Sequence, residues 1–300
     1  MKLYILVYFL PFFYSSFNAQ EKITVKDLET GENLKYVAVH FICCEQGIYS
    51  NESGEILLKN IKGDSVVFKH IGYYDKKIKT SEISNELFLK PKTEILNEII
   101  VSNSKPKTKR VGYNNKKKTL SWHVRPETEL ITLIKFEKEI NNAYLKEISI
   151  PIGKDAIKQI ETNIWRNYYP VFESVFRLHL YSNNKNSPDK RLLKEPLLIK
   201  CNNNSEDNII INIENENIIF PKEGIFIGIE MITTNNNEAK LPNFLFTKKN
   251  VKKIESISLI KDVFYNKSWI NLNEFSNLYQ INSLSDYNMA IGLTLNIYKE

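Results

Sequence analysis

From Lys22 onward, apolar residues recur at every second position in short runs, and turn-forming residues interrupt these runs every ten or so positions. Successive side chains of a strand point to opposite faces, so runs of this kind bury their apolar half only where sheets stack on one another. The first group contains Ile23-Thr24-Val25-Lys26 and a denser run over 36–42, expected to be a strand buried on both sides. Residues 54–59, 65–70, 73–80, 86–90 and 96–101 complete it. Glu29-Thr30-Gly31-Glu32-Asn33, Asn51-Glu52-Ser53-Gly54 and Lys62-Gly63-Asp64 supply the turns. Residues 21–101 are thus expected to form an antiparallel sandwich with no helix between its strands.

The second half repeats the pattern with longer runs, over 145–152, 171–182, 191–200, 208–214, 224–234, 256–264 and 288–298. Asn-rich turns separate them, for example Asn183-Asn184-Lys185-Asn186 and Asn202-Asn203-Asn204. Only 154–164 carries helical spacing, through Ile157, Ile160 and Ile164. The fold class predicted is all-β, with the first sandwich followed by a larger β-sandwich of jelly-roll type over 119–300.

Between these halves, 102–118 holds seven cations, no carboxylate and few apolar residues, and is expected to be a solvated linker. Those cations account for most of the formal charge of +6. With the excess concentrated there, the folded parts are close to neutral and a nucleic-acid-binding fold is not indicated.

Residues 1–20 have one cation, Lys2, then an apolar stretch through Phe13 and a small-residue ending at Ala19, the pattern of a cleaved secretory signal peptide. No later stretch is long and uncharged enough for a transmembrane helix. The expected location is secreted, periplasmic or outer-membrane associated. Cys43, Cys44 and Cys201 are odd in number and cannot all pair within one chain. Adjacent strand residues point to opposite faces, so at least one of Cys43 and Cys44 is expected to be a small buried hydrophobe.

The order of pieces over 23–101 resembles the carboxypeptidase-like regulatory domain, a transthyretin-like seven-stranded sandwich of Bacteroidetes envelope proteins. Val25-Lys26-Asp27 with Thr30-Gly31, Ser53-Gly54-Glu55-Ile56, Gly63-Asp64-Ser65-Val66-Val67-Phe68, Ile71-Gly72-Tyr73 and Leu96-Asn97-Glu98-Ile99-Ile100-Val101 carry the likeness. Phe176-Arg177-Leu178-His179-Leu180-Tyr181, Leu192-Leu193 and the run from Gly224 to Glu230 resemble the module that follows this domain in uncharacterised envelope proteins. These resemblances imply a fold and bring no catalytic residues.

The residues themselves point away from an enzyme. None of His40, His70, His123 and His179 has a second His three or four positions on, and only His123 has a carboxylate there, Glu127, so no paired-ligand zinc motif is present and neither metal nor cofactor is expected. There is no nucleophile elbow and no Gly-rich phosphate loop. For binding, Trp165-Arg166-Asn167-Tyr168-Tyr169-Pro170 places flat rings beside amide and guanidinium donors in an expected loop. That combination suits carbohydrate or peptide recognition, or else Trp165 and Tyr169 plug one end of the sandwich. Arg177, His179 and Tyr181 share one strand face and either line the same surface or form a satisfied sheet face. The expected function is non-catalytic binding or assembly, with a glycan, a peptide or an envelope protein as partner. A degenerate or unrecognised hydrolase and a structural accessory of an outer-membrane receptor are the alternatives.

Overall fold

The computed structural model describes residues 22–92, 105–113, 119–136, 138, 140–153, 157–161, 164–168, 173–232, 242–248, 254–264, 268–281 and 284–298. They form an all-β protein of stacked sheets, as the alternation predicts. The expected signal peptide, 1–20, lies outside the described residues, as does the last predicted run of the first unit, 96–101. Among the described residues, no helix is long and apolar enough to cross a membrane.

In the first sandwich a three-stranded sheet, ordered Glu55–Leu57, Lys22–Asp27, Glu86–Leu89, packs on a four-stranded sheet ordered Gln46–Tyr49, Ala38–Phe41, Ser65–Lys69, Lys76–Lys79. Alternate residues of both sheets, including Val25, Val39, Phe41, Val66, Phe68 and Leu87, make one dry core. The turn after the first strand is organised by Asp27, whose Oδ1 accepts the Glu29 and Thr30 amides at 2.6 and 2.9 Å while Oδ2 accepts the Tyr73 hydroxyl at 2.5 Å. The dense run stops earlier than predicted. Ala38–Phe41 is the strand, and Cys43 and Cys44 follow it in an exposed turn. Neither is therefore the small buried hydrophobe expected of that pair, and Cys201 is buried instead.

The second sandwich stacks two seven-stranded sheets. The first of them follows the order Ser187–Arg191, Glu173–Asn184, Ile225–Ile232, Thr128–Phe136, Ile254–Asp262, Ile270–Asn271, and Leu197–Asn202 also pairs with Glu173–Asn184. Its partner sheet centres on Ala143–Gly153 and Gly292–Ile297. Phe176, Leu178 and Leu180 point into the core between the sheets with Ile148, Ile227 and Phe244.

Two expectations fail here. Lys107–Gly112, placed in the linker, is a strand at the sheet edge, paired antiparallel with Gly292–Ile297. A segment with little apolar surface can still satisfy its backbone in a ladder, and its exposed Lys107, Lys109 and Arg110 discourage pairing of that edge with another chain. The helix expected over 154–164 is not found among the described residues of that stretch. Ile157–Glu161 is a strand, consistent with the β-branched side chains of its isoleucines. Among the described residues an α-helix lies at Leu272–Leu278, where the Asn271 side chain accepts the Asn273 amide and Leu272 and Phe275 bury one face.

The outer face of the sheet containing Glu173–Asn184 is not left to solvent. The first sandwich covers part of it through a cluster of Tyr36, Ala38 and Tyr49 with Ile232 and Phe264. The Phe264 ring lies 5.1 Å from that of Tyr49 and 5.0 Å from that of His40. Gly47 makes room for it, since a Cβ there would sit 2.2 Å from the Phe264 ring.

Candidate functional site

Strand Glu173–Asn184 turns Arg177, His179 and Tyr181 toward this covered face, and each is almost fully buried. They therefore belong to a buried sheet face, and of the three only Arg177 also reaches the lining of the cleft described below. Two carboxylates from neighbouring strands meet them. Glu230 lies directly across from Arg177, and Glu129 lies across from Glu230 on the next strand. Glu230 accepts Arg177 Nη1 on both oxygens at 3.1 Å and contacts His179 Nε2 at 2.6 Å. It also accepts the hydroxyl of Tyr49 from the first sandwich at 2.7 Å. Arg177 Nη2 donates to the carbonyl of Tyr36 at 2.6 Å, and Tyr36 holds a left-handed φ of 54°.

Glu129 accepts Tyr181 Oη at 2.6 Å and Lys261 Nζ at 2.9 Å, and the Lys261 ammonium lies 4.3 Å from the centre of the Trp269 ring. Burial alone would raise both carboxyls. Arg177 and His179 instead hold Glu230 well below the usual carboxylate range, and His179 with Lys261 lowers Glu129. Both are thus ionised counter-charges, committed to partners inside the protein.

Above this cluster, between the two sandwiches, opens a cleft of about 620 Å³. Its lining holds seven cations, Lys69, Lys92, Arg177, Lys190, Arg191, Lys194 and Lys261, against three carboxylates, Asp75, Glu129 and Glu230. Two of the three carboxylates are the buried ones just described, which leaves the mouth strongly basic. Among the described residues Lys190 and Lys194 make no ion pair, whereas Lys69 reaches Asp75 at 3.7 Å. Gly72, at φ 80°, brings its loop against the Lys194 carbonyl, 3.2 Å from where a Cβ would stand. Two buried nitrogens of lining residues have no hydrogen-bond partner, Arg177 Nε and His70 Nδ1. Burial and Lys69 push His40 down to about 4, and burial and Arg177 push His70 down to about 4, so the positive field comes from lysine and arginine and not from imidazole.

A second pocket of about 410 Å³ lies beside Lys261 and contains Glu127, Asp262, Arg125, Phe275 and Tyr279. Burial and the Asp262 charge push Glu127 up to about 7. Arg125 sits 5.8 Å from the centre of the Tyr279 ring. No group of three or more metal-ligating side chains occurs among the described residues.

The aromatic segment singled out in the sequence is placed differently. Trp165, Arg166 and Tyr168 fall on strand Ile164–Tyr168, which forms a separate hairpin with Ile157–Glu161 and pairs Trp165 with Ile160, so the expected loop is a strand up to Tyr168. Bulky aromatic and β-branched residues favour that conformation. Tyr169 lies outside the described residues. Of the residues nominated from sequence, Arg177 alone lines the cleft. The lysines of the mouth come from separate strands and loops of both units, with no shared motif to mark them.

No family model matches the chain, and no curated protein matches it. Among solved structures it is similar to the cysteine protease and lectin-like domains of a surface-layer-associated protein of Clostridium difficile, with a TM-score of 0.40 and 10% identity over 88% of this chain and 59% of that one. The chain therefore spans less than two thirds of the length of that structure.

Proposed function

We propose that this is a non-catalytic binding protein of the cell envelope or exterior, and that its ligand is an anionic chain or group seated in the cleft between the sandwiches. One observation carries the reading: cations from both units converge on the cleft, while the carboxylates beneath it are already neutralised by internal partners. Fixed positive charge around a partly enclosed space concentrates anions and raises their association rate. A glycan or peptide ligand is consistent with the polar lining, provided it carries negative charge. Binding of acidic and neutral oligosaccharides to the full chain, measured by calorimetry at 50 and 300 mM salt, tests the proposal. Acidic ligands should bind and weaken with salt; equal or absent binding of both classes would refute it.

A second reading, an unrecognised hydrolase, is favoured by a specific feature of the other pocket. Glu127 and Asp262 share it, and a carboxyl poised near neutrality beside a second carboxyl is what general acid catalysis uses. Turnover of chromogenic glycosides that disappears in Glu127→Gln would establish that activity, and inert substrates across a broad panel would remove it.

A further inference from the structure

We propose that the cleft selects an acidic sugar of the uronate type, one that presents a carboxylate together with a neighbouring hydroxyl. This rests on the anion-binding reading above and names the ligand class of that site. The selecting groups are the two buried nitrogens of the cleft lining that the protein leaves unpaired, Arg177 Nε and His70 Nδ1.

Their chemistry is complementary. Arg177 uses Nη1 on Glu230 and Nη2 on the Tyr36 carbonyl, and its guanidinium is always protonated, so Nε, the one guanidinium nitrogen with no partner, offers a donor of fixed direction. His70 Nε2 lies 3.2 Å from the Lys35 carbonyl, an acceptor, so Nε2 carries the ring hydrogen. With the imidazole neutral, Nδ1 is then a lone-pair acceptor. The ligand must therefore bring an oxygen acceptor to Arg177 and a hydrogen donor to His70, within a ring of lysines that favours negative charge.

A carboxylate satisfies the first demand and a sugar hydroxyl the second. A fully ionised sulfate or phosphate would instead set its oxygens against the lone pair of Nδ1 and leave that atom unpaired at a cost. An acidic peptide could donate through its amide. The lining, however, offers as apolar side chains only Ala38, Ile71, Leu193 and Val263, which is little surface for peptide side chains and suits a hydroxylated ligand better.

The test measures affinity of the full chain for trigalacturonate, a triglutamate peptide and inorganic tripolyphosphate at one ionic strength, in wild type and His70→Leu. Trigalacturonate should bind tightest. His70→Leu should weaken trigalacturonate about tenfold and leave tripolyphosphate unchanged. In wild type, the His70 imidazole 15N resonances should move on addition of trigalacturonate and not of tripolyphosphate, a readout that does not depend on how well the variant folds. Equal affinity for all three anions with no response of His70 would overturn the sugar assignment and leave the anion cleft standing. Tighter binding of triglutamate would replace the sugar by a peptide, and failure of every anion to bind would overturn the cleft itself.

Discussion

The hydroxyl of Tyr49, in the first sandwich, donates at 2.7 Å to the carboxylate of Glu230, which is buried in the outer face of the second. That bond joins residues 181 positions apart and makes the docking of the two units part of the charge balance of Glu230. Arg177 extends the same link through the Tyr36 carbonyl, and Lys200 forms an ion pair with Glu52 farther out.

Removing only that hydroxyl, in Tyr49→Phe, should cost about 1–2 kcal/mol, because Glu230 loses a donor in a place water does not easily reach. Removing the counter-charge, in Arg177→Met, should cost more, about 3–5 kcal/mol, since an ionised carboxylate is left buried. Urea unfolding of both variants beside wild type checks the order; equal losses would show that the tyrosine and the arginine are not unequal partners of Glu230.

Gly47 is the contact point for the Phe264 ring, and a side chain there cannot be accommodated without moving that ring. Gly47→Val is expected to loosen the docking of the units and also to strain the pairing of Gln46–Tyr49 with Ala38–Phe41, because its Cβ would stand 2.4 Å from the Val39 carbonyl. Limited proteolysis should then cut the chain faster than in wild type.

Stability should fall on both sides of slightly acidic pH. His40 and His70 have folded-state values pushed down to about 4, so they favour the native state above the ordinary histidine value and lose that contribution as pH drops through the folded value. Glu127 has the opposite sign. Its folded value is pushed up to about 7, so its contribution is full below the ordinary carboxylate value and is lost as pH rises through 7. Melting temperatures from pH 4 to 8 should show a maximum between these limits, and Glu127→Gln should flatten only the alkaline side.

Thiol reactivity should divide two to one. Cys43 and Cys44 are exposed in the turn after Ala38–Phe41, whereas Cys201 is buried and burial pushes its thiol up to about 12. A maleimide should modify two thiols per native chain and the third only after denaturation. Rapid modification of all three in the native protein would contradict the burial of Cys201.

Charge in the cleft is the remaining handle. Lys190→Glu with Lys194→Glu replaces two unpaired cations by anions at the mouth and touches no described ion pair. Anion affinity should drop at least tenfold and lose most of its salt dependence, with the melting temperature within a few degrees of wild type.

Period-two alternation determined a great deal on its own. It established the all-β class, placed Glu173–Asn184 and Ile225–Ile232 to within a few residues, and put Arg177, His179 and Tyr181 on one face, because the direction of a side chain on a strand depends on local geometry alone. It could not say what would cover that face. Glu129 and Glu230 are single acids in apolar strands, without spacing to mark them, and they become a site only when sheet register sets them beside Arg177 and His179. Strand Lys107–Gly112 was missed for a related reason, since a ladder with Gly292–Ile297 is a long-range pairing that exposed cations do not announce. The basic cleft was likewise a decision of tertiary structure. Its lysines and arginines are scattered from Lys69 to Lys261, and only the docking of one sandwich on the other, through Phe264, Tyr49 and Glu230, gathers them around one space.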